Sequence, residues 1–337
     1  MTLMGTNWIS HKTSSLALLI PAYNAAGLLP RLLASAAAQT EPFDEIWVYD
    51  DCSTDDTAAV AEGLGARMIR GAVNRGCSHG KNALAHHTTC TWIHFHDADD
   101  ELLPNFVALA RGWMSTDGND VVLFPYLEID DVTDQPIAVR QFEPEAVARN
   151  PICYAIRNQI NPFCGLYRRE AFLAAGGCDE DPLVLYNEDV AMHIALAFAG
   201  LSFAAETTVS IVNRRRVNSM SASNRQKCIE AHYHVLRKVL DRPRSTAYRN
   251  DIATKLWMAG AAGAAHLDWA TADKAVALAM RLADPSAAPA RSVFQALCWL
   301  SPHIALRARE LLIRLFRPHL RAGYPTWHWR ALATTRE

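Results

Sequence analysis

From Leu16 to about Thr208, short apolar runs alternate with segments of helical period, and this alternation restricts the fold more than any other feature. Strands separated by helices must cross over, and crossovers build a largely parallel sheet covered by helices, an α/β domain. LALLI (Leu16 to Ile20) reads as a buried strand, Ala26 to Gln39 as a helix and IWVYD (Ile46 to Asp50) as a second strand. Thr54 to Leu64 then reads as a helix whose Ser and Asp residues suit N-caps, completing one βαβ unit. ARMIRG (Ala66 to Gly71) predicts a short third strand, Lys81 to His87 a helix, and TWIHFH (Thr91 to His96) a fourth strand. Further strands are expected at Val121 to Ile129 and near Phe203 to Val212. After about Asn224 the text becomes alanine-rich and helix-periodic, broken at Arg242-Pro243, Asp284-Pro285 and Ser301-Pro302, which predicts a helical appendage. No internal repeat stands out.

At 337 residues and 50% hydrophobic content the chain can bury a sizeable core. Its 33 basic and 35 acidic side chains nearly cancel, so no global pull toward nucleic acid is expected and no nucleic-acid partner is assigned. The eight cysteines are scattered without a C-x-x-C pair and read as reduced, mostly buried thiols. The opening MTLMGTNWISHKTSS lacks the regions of an export signal, and no apolar run approaches the roughly 18 to 20 residues of a membrane span. A cytoplasmic protein is expected, free or peripheral at the inner face of the cell membrane.

In an open parallel sheet, ligands bind beyond the carboxyl ends of the strands. Here those ends carry Pro21-Ala22-Tyr23-Asn24, Asp50-Asp51-Cys52-Ser53 and Asp97-Ala98-Asp99-Asp100. Singly, Asp51 and Ser53 can cap a helix and Pro-Ala-Tyr-Asn can form a turn. Their coincidence at three strand ends points to one polar crevice. The chain has no G-x-x-x-x-G-K-[ST] loop, and Gly63, Gly65 and Gly71 follow a helix, so a dinucleotide fingerprint fails on context. A phosphate-bearing ligand would therefore need a metal or basic side chains. Asp97 and Asp99, two apart at a strand end, can reach one hard cation, Mn²⁺ or Mg²⁺, whose remaining ligands are substrate phosphates. His94 and His96 raise a zinc hydrolase of the H-x-H-x-D-H type, but that pattern needs an aspartate and a histidine where the chain has Ala98 and Asp99. The two histidines alternate instead with Ile93 and Phe95, one pair covered by a helix and the other expected to be partly polar.

PAYNAA, EIWVYDDCSTDDT and NRGCSHGKNALAHHTTCTWIHFHDADDELLP, in that order, resemble the nucleotide-sugar-binding half of the inverting, GT-A fold family 2 glycosyltransferases. NPFCGLYRREAFLAAGGCDEDPLVLYNEDVAMHIALAFAG resembles their acceptor half, so the resemblance runs from about Leu16 to Ser223. It implies a GT-A fold, with a mixed, mostly parallel sheet flanked by helices. The implied plan is an N-terminal tail (1–15), a catalytic domain (16–224, split into 16–104 and 105–224) and a helical C-terminal region (225–337). It also implies roles: Pro21 and Tyr23 line the base pocket, and Asp51 accepts a hydrogen bond from the base imide N–H. Lys81 stands where the family often has arginine, facing the base or diphosphate with a single charge instead of a bidentate fork. Asp97 meets the ribose or the metal hydration shell, Ala98 lines the donor site, and Asp99 ligates a metal that joins both phosphates. Asp100 is assigned to the loop or to a supporting place behind the metal ligands.

Tyr186-Asn187-Glu188-Asp189 precedes Val190, Ile194 and Phe198 at helical spacing. On its own the pattern reads as Asn187 capping a helix with two acids on its positive end. The resemblance makes Asp189 the catalytic base and Glu188 a positioning acid; His193, one turn later, reads as a packing or local hydrogen-bonding residue. Arg214-Arg215-Arg216-Val217-Asn218-Ser219 reads alone as a solvated basic surface. By resemblance it folds over the diphosphate, with Arg216 and Ser219 touching the donor. Cys164 and Gly165 are placed near the acceptor pocket.

The implied function is metal-dependent, inverting transfer of one sugar from a nucleotide-diphosphate sugar, with UDP the expected nucleotide. The acceptor is a hydroxyl of a saccharide or lipid-linked molecule in polysaccharide assembly. The Q-x-x-R-W motif of processive members is missing from the sequence, so a single transfer is expected. A sugar nucleotidyltransferase would need a glycine-rich basic loop where PAYNAAGLLPR stands, and a non-catalytic nucleotide-binding relative would not need Asp51, Asp97, Asp99 and Asp189 together. In the tail, HIALRARELLIRLFRPHLR spaces Ile304, Ala308, Leu311, Leu312, Leu315 and Phe316 along one helix face beside five arginines and one glutamate. Over 302–321 this reads either as a helix lying on an anionic membrane or as one packing on the catalytic domain or on another subunit of a homo-oligomer. Trp327 and Trp329 fit either reading.

Overall fold

The computed structural model describes residues 14–216, 223–288 and 292–325. They fall into two compact units. One holds the described residues up to Pro144 with Pro162–Ala174 and Ser202–Arg214; the other holds Glu145–Asn161, Ala175–Leu201 and the described residues from Arg215 onward.

The first unit contains strands β1 (Leu16–Ala22), β2 (Glu45–Asp50), β3 (Arg67–Arg70), β4 (Trp92–Phe95), β5 (Glu101–Leu102), β6 (Val121–Leu123), β7 (Tyr126–Asp130), β8 (Pro136–Arg140), β9 (Gly165–Arg168), β10 (Phe203–Ala205) and β11 (Ile211–Arg215). Seven of them form a sheet in the order β10-β6-β9-β4-β1-β2-β3, and four form a smaller sheet, β5-β11-β7-β8. Within the large sheet only β9 runs antiparallel to its neighbours, β4 and β6, as a mostly parallel GT-A sheet requires. Leu16 to Ile20 of β1 are 0% exposed, which is why that stretch reads as an unbroken apolar run. The register sets Ala22 opposite Asp50, so β1 and β2 end together, and Leu19 opposite Phe95, so the neighbouring β4 ends three residues earlier on the same side of the sheet.

Helices α1 (Leu29–Ala37), α2 (Thr57–Gly63), α3 (Cys77–His87) and α4 (Phe106–Met114) belong to this unit. α1 turns Leu29, Leu32, Leu33 and Ala36 inward at the expected spacing. α2 starts without the side-chain N-cap its Ser and Asp residues predict; Asp55 instead accepts the Thr57 N–H at 3.0 Å. α3 begins four residues before the expected Lys81, in a CSHG stretch with no apolar period. Gly80 there lies so close to the sheet that a Cβ would sit 3.0 Å from Tyr49 Cδ1 and 3.2 Å from Pro21 Cβ. The single strand expected over Val121 to Ile129 is two strands in two sheets, parted at Pro125, which has no N–H for a ladder. Phe203 to Val212 likewise divides between β10 and β11.

The second unit is helical: α5 (Pro144–Arg149), α6 (Pro151–Arg157), α8 (Glu188–Phe198), α9 (Arg225–Leu240), α10 (Arg249–Ala265), α11 (Trp269–Leu282), α12 (Ser292–Leu300) and α13 (Pro302–Phe316), with α7 (Arg169–Ala174) belonging to the sheet unit. Its alanine and glycine content serves close packing of α10 on α11: a Cβ on Gly260 would lie 2.7 Å from Val276 Cγ1. All eight cysteines are free thiols, four of them buried. Among the described residues no helix is long and apolar enough to cross a membrane.

Gly165 on β9 gives a sharp test of this packing. A Cβ there would lie 2.0 Å from Tyr167 Cζ and Oη. The Tyr167 ring is 0% exposed, packs 5.7 Å from Phe95 and 6.0 Å from Phe172, and its hydroxyl donates to the Pro162 carbonyl at 3.1 Å, so it has nowhere to go. Gly165→Ala should therefore destabilise the protein by about 1–3 kcal/mol, the usual cost of overpacking. An unchanged denaturation midpoint would show that the ring swings aside.

Candidate functional site

Two of the three strand-end segments are laced together. Asn24 and Cys52 both hold left-handed backbone, with φ of 49° and 62°, a conformation that costs about 1–3 kcal/mol in a non-glycine residue unless its surroundings impose it. The surroundings do: Asn24 N–H donates to Ser53 Oγ (2.9 Å), Asn24 Oδ1 accepts from Thr54 N–H (2.8 Å), and Ala25 N–H donates to Thr57 Oγ1 (2.7 Å). The Asp51 carboxylate, 5% exposed, accepts the Arg75 N–H at 2.8 Å on one oxygen and the Gly76 N–H at 2.7 Å on the other, tying in the loop before α3. A carboxylate has about four lone-pair sites, so two remain for a further donor. Pro21 is half-buried, Tyr23 is 51% exposed and Lys81 is buried at 2%.

Beyond β4, Asp97, Ala98 and Asp99 form a half-exposed turn, whereas Asp100 is 1% exposed. Asp100 accepts from Asn213 Nδ2 (2.9 Å) and Arg214 N–H (2.8 Å). Burial, then the charges of Asp97 and Asp99, push its carboxyl well above the ordinary range against those two bonds. Arg31 of α1 donates to the Asp99 carbonyl at 3.0 Å and to Asp131 at 3.0 Å. The Arg214 guanidinium pairs with Glu101 and, at 2.7 Å, with Asp134. Arg214 is thus a brace among the carboxylates around the turn, not part of a solvated run; Arg215 is exposed and Arg216 half-buried. Ser219 lies outside the described residues. Arg31, Asn213 and Arg214 were invisible as site residues because their partners are 68 to 114 residues away.

Among the described residues no group of three or more His, Cys, Asp or Glu is placed to hold a metal ion. The turn offers two half-exposed carboxylates, Asp97 and Asp99, beside the buried Asp100. This hard, two-residue oxygen set fits Mn²⁺ or Mg²⁺ completed by diphosphate oxygens and water, and does not form an all-protein cage.

The partly polar face expected for His94 and His96 does not exist: both are 0% exposed, as are Ile93 and Phe95. His94 Nδ1–H donates to the Gly165 carbonyl at 2.8 Å, and its Nε2 then accepts from His96 Nδ1–H at 3.0 Å. Burial lowers His94 to about 4, and burial followed by the neighbouring His94 lowers His96, so both rings stay neutral. They form a strut from β9 to the residue before Asp97. Cys164 is 0% exposed, inside the fold.

In the helical unit, Asn187 occupies the N-cap position of α8 but makes no side-chain cap. Its Oδ1 accepts His232 Nδ1–H from α9 at 2.8 Å, so the expected capping role is replaced by a tether. Burial, then the Lys255 charge, lowers His232 to about 4 and keeps the ring neutral. Tyr186, at φ 75°, has Lys227 Nζ 5.5 Å from its ring centroid. Glu188 is 6% exposed, and its Oε2 accepts no hydrogen bond among the described residues. A buried oxygen of that kind marks a place for a donor from water or ligand. Asp189 is half-buried, and its carbonyl accepts His193 Nδ1–H at 2.8 Å, as the local role given to His193 requires. Burial, then the Glu188 charge, pushes the Cys228 thiol up. Lys227, Cys228 and His232 fall outside the family-like stretch, and no local signal announces them.

Residues 17–174 match the family model described as Glycosyl transferase family 2. An uncharacterized glycosyltransferase of Haemophilus influenzae is 25% identical over 164 residues, 48% of this chain and 55% of that protein, so the match spans about half the relative's length. Among solved structures, S. aureus TarS 1-349 in complex with UDP-GlcNAc has a TM-score of 0.67 at 17% identity, covering 93% of each chain. The mannosyltransferase PcManGT from Pyrobaculum calidifontis, in complex with GDP-Man and Mn²⁺, has a TM-score of 0.54 at 18% identity, covering 90% of this chain and 81% of that one. The chain shares the GT-A fold of these solved structures, and its residues 17–174, a little under half of its length, resemble glycosyl transferase family 2.

Proposed function

We propose that this chain moves one sugar from a nucleotide-diphosphate sugar to a hydroxyl of a saccharide or lipid-linked acceptor, in a step of polysaccharide assembly. The observation that carries the reading is the meeting of three polar strand ends, those of β1, β2 and β4, within the residues that resemble family 2. Exposed Tyr23 and half-buried Pro21 are suited to flank a base, and the free lone pairs of Asp51 to accept its imide N–H. Asp97 and Ala98 are assigned to the ribose side of the donor, with Lys81, Arg216 and Ser219 on the diphosphate. Asp99, with Asp97, would hold the metal, which when bound offsets charge on the leaving diphosphate.

The residues of the chain carry the rest. Asp189 takes the proton of the acceptor hydroxyl as its oxygen forms a bond to the anomeric carbon. The bond from that carbon to the diphosphate breaks on the opposite face, so the configuration inverts and nucleoside diphosphate leaves. Glu188 positions the acceptor. UDP is favoured by the likeness to TarS with UDP-GlcNAc, and GDP is the next candidate by the likeness to PcManGT with GDP-Man.

The test is calorimetric titration of UDP, then GDP and dTDP, into the purified protein with and without Mn²⁺, followed by incubation with the matching nucleotide sugars. Metal-dependent binding and release of free nucleotide are expected. Binding without release would make the chain a non-catalytic nucleotide binder, and no binding of any nucleotide would remove the reading.

A further inference from the structure

Of the seventeen large apolar side chains exposed among the described residues, eight lie between Leu297 and Leu320. Single exposed apolar residues are ordinary on a surface; a contiguous group is not. At about 100° per residue, Ile304, Leu312, Leu315 and Phe316 fall on one side of α13. They are 68, 53, 61 and 75% exposed, while Leu306 and Glu310 on the other side are 1 and 0% exposed. Trp299 and Leu300, at the end of α12, are 67 and 85% exposed. The apolar face that the periodicity picks out therefore points to solvent.

The charges around it are one-sided. Between Ser292 and Pro325 the single acid is Glu310, which is buried and holds Arg314 and Arg321 at 2.7 Å. Arg307 is held by Asp273, also at 2.7 Å. Arg317 and His319 are exposed next to Phe316 and Leu320. This stretch offers no exposed carboxylate among its described residues. We propose that the α12–α13 ridge docks on an anionic lipid surface, its apolar side chains entering the acyl boundary and Arg317 and His319 facing headgroup phosphates. A second copy of the chain fits less well, because a two-fold contact brings the same patch to both sides and this patch has no exposed carboxylate among its described residues to face Arg317 and His319. This inference does not rest on the transferase reading and is tested without donor or acceptor.

The experiment is vesicle flotation of the full chain, comparing phosphatidylcholine alone with phosphatidylcholine–phosphatidylglycerol, for the wild type and for W299S/L300S and L315S/F316S. All four side chains are exposed, and thermal melts confirm that the variants fold. The wild type should float with the anionic vesicles, less so at high salt, and each double variant should bind at least about tenfold more weakly, given the apolar area removed. Wild-type protein left at the bottom of the gradient with anionic vesicles would overturn the proposal. So would flotation that neither variant weakens. A concentration-dependent dimer that both variants abolish, without vesicle binding, would assign the ridge to a second copy instead.

Discussion

Asp189→Asn should lower turnover by about 10²–10⁴-fold, the usual worth of a general base, while nucleotide affinity stays at the wild-type value. Asparagine matches aspartate in size and keeps a hydrogen-bonding oxygen, but it cannot take a proton. The backbone at this position is held independently of the side chain, since it is the Asp189 carbonyl that accepts from His193. The carboxylate sits in the first turn of α8, where removing a negative charge costs only about 0.3–1 kcal/mol of helix stability. The variant should therefore fold, and its loss should appear in kcat at saturating donor. Glu188 differs: it is buried, and one of its oxygens lacks a partner among the described residues, so Glu188→Gln probes positioning. Turnover within threefold of wild type in Asp189→Asn would sink the assignment of the base. Loss of UDP binding in the same variant would mean the substitution disturbs the donor site.

The parts of this protein legible in the sequence are those fixed by local periodicity. β1 reads correctly because a buried parallel strand is an unbroken apolar run, β2 and β4 because each is a short, mainly apolar stretch, and the ends of all three because polar residues follow at once. What the sequence hid is the fate of individual polar side chains, which is set by partners far along the chain. Arg214 looks like one of three surface arginines until Glu101 and Asp134 are seen around it. Asn187 has the composition and place of an N-cap, yet His232 takes its side chain. His94 and His96 look like ligands or a polar face, yet they bond each other and the Gly165 carbonyl inside the core, with His96 Nε2 left without a hydrogen-bond partner among the described residues. The tail shows the same limit in another form. Periodicity identifies an apolar face on α13, but only tertiary structure shows that Leu306 goes inward while Leu315 and Phe316 stay outside.

Asp99→Ala is expected to weaken Mn²⁺-dependent UDP binding by about 100-fold, since even residues one shell further from a metal typically cost 10–100-fold. The geometry leaves no substitute. Asp100 is adjacent, but both its oxygens already accept bonds, from Asn213 and from the Arg214 N–H, and it is 1% exposed. His96 on the other side of the turn is bonded into the interior. Asp97 alone would leave a hard cation one protein ligand, with water and phosphate for the rest. The main-chain position of the turn should survive the change, because Arg31 holds the Asp99 carbonyl and not its side chain. The comparison to make is UDP titration of wild type and variant in Mn²⁺ and after chelation. Chelated wild type and Mn²⁺-treated variant should behave alike, because each removes one half of the same link between carboxylate and diphosphate. If UDP binds the chelated wild type as tightly as before, the diphosphate is held by cationic side chains and not through Asp99.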